Sequence, residues 1–190
     1  MKKNNVTKLD RVVLNGGEPL LHKEINLYLE ILSKLEVETL IFTNGRMLKL
    51  LNPNNLKSNL RFIVPIHGNK EVHDFITGVS NSLEETLESL YWIQDNAKDC
   101  NVDIKIILNK ETIQENQFLE SVKTWESLPF NNALHITKMA DTKVSIKNGL
   151  ESLSLDEVSM YTLKLYNLFK EKCYVKIYGS CIKSFSFLEN

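Results

Sequence analysis

Short runs of apolar and β-branched residues alternate along this chain with longer stretches whose apolar positions recur every three or four residues. The runs are Arg11 to Asn15, Glu38 to Thr43, Leu60 to Ile66, Val102 to Leu108, Ala133 to Thr137 and Tyr174 to Tyr178. Most are too short and too continuously apolar for strands with one wet face, so they predict parallel strands covered by helices. Between them, Ile25, Tyr28, Leu29, Leu32 and Leu35 fall on one side of a helix. Ser82-Leu-Glu-Glu85 has the form of a capping box, with Leu83, Leu87, Leu90 and Tyr91 as the buried stripe behind it. Ser154-Leu-Asp-Glu157 repeats that device ahead of Val158, Tyr161, Leu165 and Leu168. Ala140 to Ser154 is polar and irregular, which predicts a long loop. The βαβα alternation specifies an α/β fold.

Composition narrows the setting. A length of 190 residues suits one domain, and no repeat, linker or charge block marks a boundary within residues 1–190. The 23 basic residues nearly balance 24 acidic ones, so there is no basic surface for nucleic acid. No apolar run approaches the roughly 20 residues that span a bilayer, and MKKNNVTKLDR lacks the apolar core of a signal peptide, so no membrane contact and a cytoplasmic location are expected. Three scattered cysteines, Cys100, Cys173 and Cys181, fit reduced thiols: two small apolar residues and a partly exposed one.

Ligands of parallel α/β sheets gather at the carboxyl ends of the strands, where loops and helix N-termini present free backbone groups. The exits here read Asn15-Gly16-Gly17-Glu18-Pro19, Thr43-Asn44-Gly45, His67-Gly68-Asn69, Asn109-Lys110 and Lys138. Turn chemistry alone explains any one of them; the series carries more weight. In the first exit, two glycines let backbone carbonyls approach a ligand, and Pro19 holds Glu18 extended. Acceptors converging beside a carboxylate suit an ammonium group and repel phosphate. No Ser-His-Asp or Cys-His arrangement stands out, and no short-spaced histidine pair marks a metal site. His22 and His73 read as helix-entry residues, His67 as a strand exit and His135 as a strand residue.

The blocks LNGGEPLLH (Leu14 to His22), FTNGRML (Phe42 to Leu48), VPIHGNKEVHDFITGVSNSLEETLESL (Val64 to Leu90) and IKIILNKETIQE (Ile104 to Glu115) resemble the radical S-adenosylmethionine superfamily in order and spacing, and Leu134 to Leu168 does so more loosely. The resemblance implies a partial (β/α)6 TIM-like barrel of mostly parallel strands. It also implies that Gly16, Gly17, Glu18 and Pro19 form the turn that binds the amino group of S-adenosylmethionine. Asn44 and Thr43 would end the next strand, His67 would stand where relatives place a ribose-contacting side chain, and Asn109 would lie near the nucleoside. The IHGNKEVHD block resembles relatives that act on peptides.

Family members hold a 4Fe-4S cluster with three cysteines spaced C-x3-C-x2-C after their first strand. This sequence has no such motif, and only 15 residues precede Gly16. They read as the last turn of a first helix entering what would be the family's second strand, so the first strand is expected to be missing. The three cysteines do not substitute, since cluster ligands come from a tight loop. The expectation is therefore a radical-SAM-like domain with no catalytic or metal-binding residues of its own, with low affinity for S-adenosylmethionine and no cluster on this chain alone. It would act as a binding or partner protein in peptide modification, with a peptide ligand. The alternatives are an enzyme, split or with a missed upstream start, whose cluster loop lies elsewhere, and an α/β scaffold whose GGEP turn is a relic. An unpaired first edge also predicts a homodimer or protein partner there.

Overall fold

In a computed structural model of the chain, the structure describes residues 9–128, 133–140 and 149–178. Six strands form one sheet in sequential order, every neighbouring pair parallel: β1 (Arg11–Leu14), β2 (Glu38–Phe42), β3 (Leu60–Pro65), β4 (Asn101–Leu108), β5 (Ala133–Lys138) and β6 (Tyr174–Ile177). Each lies within one residue of the run that predicted it. The sheet does not close, so the architecture is a partial TIM-like barrel. Among the described residues, β1 and β6 are its edges.

The helices are α1 (Ile25–Leu35), α2 (Lys70–Thr77), α3 (Ser82–Asn96), α4 (Lys110–Ile113), α5 (Glu115–Ser127) and α6 (Leu155–Phe169); short 3₁₀ turns follow β1 and β2. Strand register puts Ile41, Phe62 and Val102 on one face, and Ile104 with Leu134 continues it. These residues merge with Leu29, Leu90, Ile93, Val158 and Leu165 in a single buried core between sheet and helices. At about 1.5–3 kcal/mol per buried aliphatic side chain, this contact is the main support of the sheet. The opposite, inner face carries the alternate residues: Leu40, Ile63, Asp103, Lys105, His135 and Lys176.

Helix faces differ from expectation at their margins. Tyr28 and Leu35 of α1, Tyr91 of α3 and Leu168 of α6 are exposed, because an open sheet covers a narrower stripe than the apolar periodicity offers. The Ser82 capping box does not form. Asn81, left-handed at φ 60°, is the N-cap of α3, and Asp74 accepts from Asn81 N (2.7 Å) and Leu83 N (3.0 Å). A carboxylate from α2 thus takes the place foreseen for a hydroxyl, and Ser82 is buried in the first turn. The box at Ser154 forms as read, with both reciprocal bonds present. Most of the expected 140–154 loop, residues 141–148, lies outside the described residues, as does most of the expected N-terminal helix turn.

Candidate functional site

The turn after β1 needs its two glycines. Gly16 has φ +95° and Gly17 φ +55°, in the left-handed region that other residues enter at a cost of about 1–2 kcal/mol. Asn15 Oδ1 accepts from Gly16 N at 2.8 Å and steadies the entry. Glu18 is extended (φ −120°, ψ 105°) ahead of Pro19, which opens the 3₁₀ turn Pro19–Leu21.

Glu18 works as a clasp between two strand exits. Its Oε1 accepts from Leu20 N (3.0 Å) and from the Thr43 hydroxyl (2.7 Å), and its Oε2 accepts from Asn44 N (2.8 Å). Thr43 Oγ1 in turn accepts from Gly45 N at 3.1 Å. The carboxylate therefore fastens the β1 exit to the β2 exit. The carbonyls of Gly16 and Gly17 accept no hydrogen bond among the described residues, which leaves two acceptors in one tight turn. Asn44 is exposed, its Oδ1 accepting from Arg46 N (3.0 Å) while its Nδ2 donates to nothing described.

At the β3 exit, His67 is buried and its Nδ1 has no partner. Its backbone N–H donates to His73 Nδ1 at 3.1 Å, which binds the exit to α2. Burial, then the charges of His73 and Lys105, lower the His67 pKa to about 3, so the ring is neutral at pH 7. A neutral imidazole with an unsatisfied nitrogen fits a polar ligand group. At the β4 exit, Asn109 caps α4: its Oδ1 accepts from Thr112 N (2.9 Å) and Thr112 Oγ1 (3.0 Å), and its Nδ2 donates to Ile107 O (3.4 Å). It stands 1% exposed, holding the exit's shape. All of these residues thus lie at one end of four adjacent strands, spread over about 14 Å at the usual strand spacing.

The inner face holds a polar network that sequence reasoning did not find. Asp103, fully buried, accepts from Arg61 Nη1 (2.6 Å), His135 Nε2 (2.7 Å) and Lys176 Nζ (3.4 Å). His135 Nδ1 lies 2.7 Å from the Tyr178 hydroxyl. Burial raises the Asp103 pKa, but the His135 hydrogen bond and the charges of Arg61, His135 and Lys176 outweigh it and hold it below the ordinary carboxylate range. These groups come from four strands. Their only signal in the sequence was charge at alternate positions inside apolar runs.

The 4Fe-4S group that the resemblance brings to mind does not fit the cysteines described. Cys100 immediately precedes β4 and Cys173 immediately precedes β6, at the end of the sheet opposite the glycine turn. Burial raises the Cys100 thiol pKa to about 12, the reverse of a ligand thiolate. Cys181 lies outside the described residues. Among the described residues, no three His, Cys, Asp or Glu side chains group as a metal site, and no helix is long and apolar enough to cross a membrane.

No protein-family model and no curated protein matches the chain. Solved structures do. SuiB of Streptococcus suis bound to S-adenosylmethionine superposes with a TM-score of 0.66 at 14% identity over 89% of this chain. The fold is that of radical S-adenosylmethionine enzymes. SuiB bound to its precursor peptide SuiA gives a TM-score of 0.65 at 14% identity. The enzyme anSMEcpe, with bound AdoMet and the Kp18Cys peptide, gives 0.57 at 17% identity over 88% of this chain. The chain spans 38% of SuiB and 49% of that anSMEcpe chain, so the shared radical-SAM fold is a part of each.

Proposed function

We propose that the chain is a radical-SAM-like domain that binds S-adenosylmethionine weakly at the strand exits. In this reading it performs no reductive cleavage alone and serves as a binding or partner protein in peptide modification. The observation that carries this reading is the Glu18 clasp: it fixes the exits of β1 and β2 while leaving the Gly16 and Gly17 carbonyls free. Those carbonyls would take the methionyl ammonium, with Glu18 and Pro19 setting their direction. Asn44 and the His67 ring would meet the polar groups of the nucleoside, and Asn109 would hold the last exit in place. Bound there, S-adenosylmethionine supplies a sulfonium whose cleavage needs an electron donor. The peptide setting draws support from the peptide-bound neighbours SuiB and anSMEcpe.

A second reading makes the chain one part of an active enzyme, with the cluster loop supplied beside β1. The observation that favours it is that β1 pairs on one side only among the described residues. A homodimer or protein partner at that edge belongs to either reading.

An amide-resolved titration of the iron-free chain with S-adenosylmethionine tests the first reading. Saturable fast-exchange shifts are expected at Gly16, Gly17, Asn44 and His67, weakened by Glu18→Gln. Absence of saturable shifts at that rim rejects it.

A further inference from the structure

Helix α1 carries two apolar stripes. Ile25, Leu29 and Leu32 face the core. Asn26 marks one flank: its Oδ1 accepts from Asn52 N (2.8 Å) and its carbonyl from Asn55 Nδ2 (3.0 Å), both in the segment that leads from β2 to β3. At about 3.6 residues per turn, Tyr28, Ile31 and Leu35 fall on the other flank, with Leu27 beside them, and that flank overlooks the free side of β1. The four side chains are 39 to 57% exposed. A surface helix needs one apolar stripe to hold it on its sheet, and the second has no cover among the described residues.

The strand beneath is equally bare. Among the described residues β1 pairs with β2 alone, and no lysine or proline within it guards the outer side. Its one charge, Arg11, lies 2.6 Å from Glu38. Charge then selects the occupant of this surface. Glu24 caps the start of the stripe and Lys34 lies at its end, both exposed, and the contact of Lys34 with Glu30 is a surface pair of little worth. An antiparallel copy of the same helix sets each of these charges against its opposite, whereas a parallel copy matches like with like. The four side chains offer on the order of 350 Å² of apolar surface per copy, close to the share that is apolar in the roughly 800 Å² per partner of a standard interface.

We propose that a second copy of this chain docks on this surface about a two-fold axis. β1 pairs antiparallel with β1 of the partner, which extends the sheet, and the bare flanks of the two α1 helices pack on each other. A crossover helix sits above the gap between the strands it joins, so this pairing brings the two α1 axes to about 10 Å, the distance at which side chains interlock. The proposal names the partner for the β1 edge contact described above and rests on that open edge. It owes nothing to S-adenosylmethionine binding, so either can fail while the other stands.

Sedimentation equilibrium of the full chain tests it. A monomer-dimer equilibrium that closes at twice the chain mass is expected, as an isologous contact requires. Ile31→Glu sets two carboxylates near the axis and should weaken association by roughly tenfold or more, whereas Leu119→Glu, at an exposed leucine of α5, should leave it unchanged. Glu24→Lys and Lys34→Glu should each weaken it. An equimolar mixture of those two variants should associate about fivefold tighter than either alone, because only the mixed pair has opposite charges at both contacts. Isotope-filtered Overhauser contacts between Val12 or Val13 of one copy and β1 of the other are expected in the dimer. A chain that stays monomeric, alone or while a different protein occupies this flank, overturns the proposal. So does a dimer indifferent to Ile31→Glu, a mixture no tighter than its components, or a dimer without those contacts.

Discussion

Glu18 accepts three donors from two chain segments, and a glutamine there satisfies only part of that set, because an amide has one acceptor oxygen where a carboxylate has two. Glu18→Gln should lower stability by about 1–3 kcal/mol in urea denaturation. A change under 0.5 kcal/mol would mean that the clasp contributes little. Gly45→Ala should be worse than either Gly16→Ala or Gly17→Ala. A Cβ at Gly45 would stand 2.6 Å from Val64 Cγ1 on a backbone of φ +82°, whereas none of the atoms around Gly16 and Gly17 comes within 4 Å of theirs. The three melting temperatures rank the effects directly. The glycine turn was legible in the sequence because φ above zero leaves glycine as its trace. Asp103, His135 and Tyr178 were not legible as a unit, since each looks like an isolated polar residue in its own strand until register brings the strands side by side.

At the scale of elements, the two caps make opposite cases. The Ser154 box is local, four residues long, and was readable; Ser154→Ala should destabilise by about 1 kcal/mol through the frayed start of α6. The cap of α3 comes from Asp74, seven residues before Asn81, and local sequence rules missed it because the accepting carboxylate sits on α2 while the donors open α3. The Asp103 network ties β3, β4, β5 and β6 across the inner face. Asp103→Asn removes the charge and one of the two acceptor oxygens, so Arg61, His135 and Lys176 compete for the one that remains and the cations lose their buried counter-charge, which should cost about 3 kcal/mol. In a double-mutant cycle with His135→Gln the two losses should be strongly non-additive. Additive losses would mean that the pair is uncoupled. Strand positions were legible throughout because burial on the helix side writes itself as apolar runs. Helix margins such as Tyr91 were not, since periodicity does not say how wide a stripe an open sheet covers.

For the whole molecule, stability is linked to pH through two buried histidines. Burial lowers the His67 pKa to about 3; burial also lowers that of His73 to about 4, against the opposing pull of Asp74 and Glu84. Both lie below the value of 6.5 that an unfolded chain presents. Below pH 6.5 the unfolded state therefore binds protons that the folded state refuses, and stability falls as pH falls, by up to about 1.4 kcal/mol per pH unit for each histidine. The stabilisation is fully present above pH 6.5 and is progressively lost down to pH 4 and below. Denaturation midpoints at pH 7.5, 6 and 5 should show that slope, and His73→Gln should flatten it. A flat profile in the unmodified chain would contradict buried neutral rings. The mostly parallel βα alternation was legible because continuously apolar strand runs alternated with helical stretches long enough to cross back over the sheet. The polar network of the inner face was not, because it emerges only once four strands share one face.

Intermolecular nuclear Overhauser effects between S-adenosylmethionine and the iron-free chain test the central claim most directly. Methionyl protons should contact the α-protons of Gly16 and Gly17, and ribose protons the His67 ring. Contacts instead to the helix side of the sheet, around Tyr166 and Cys173, or none at saturating ligand, would contradict the account.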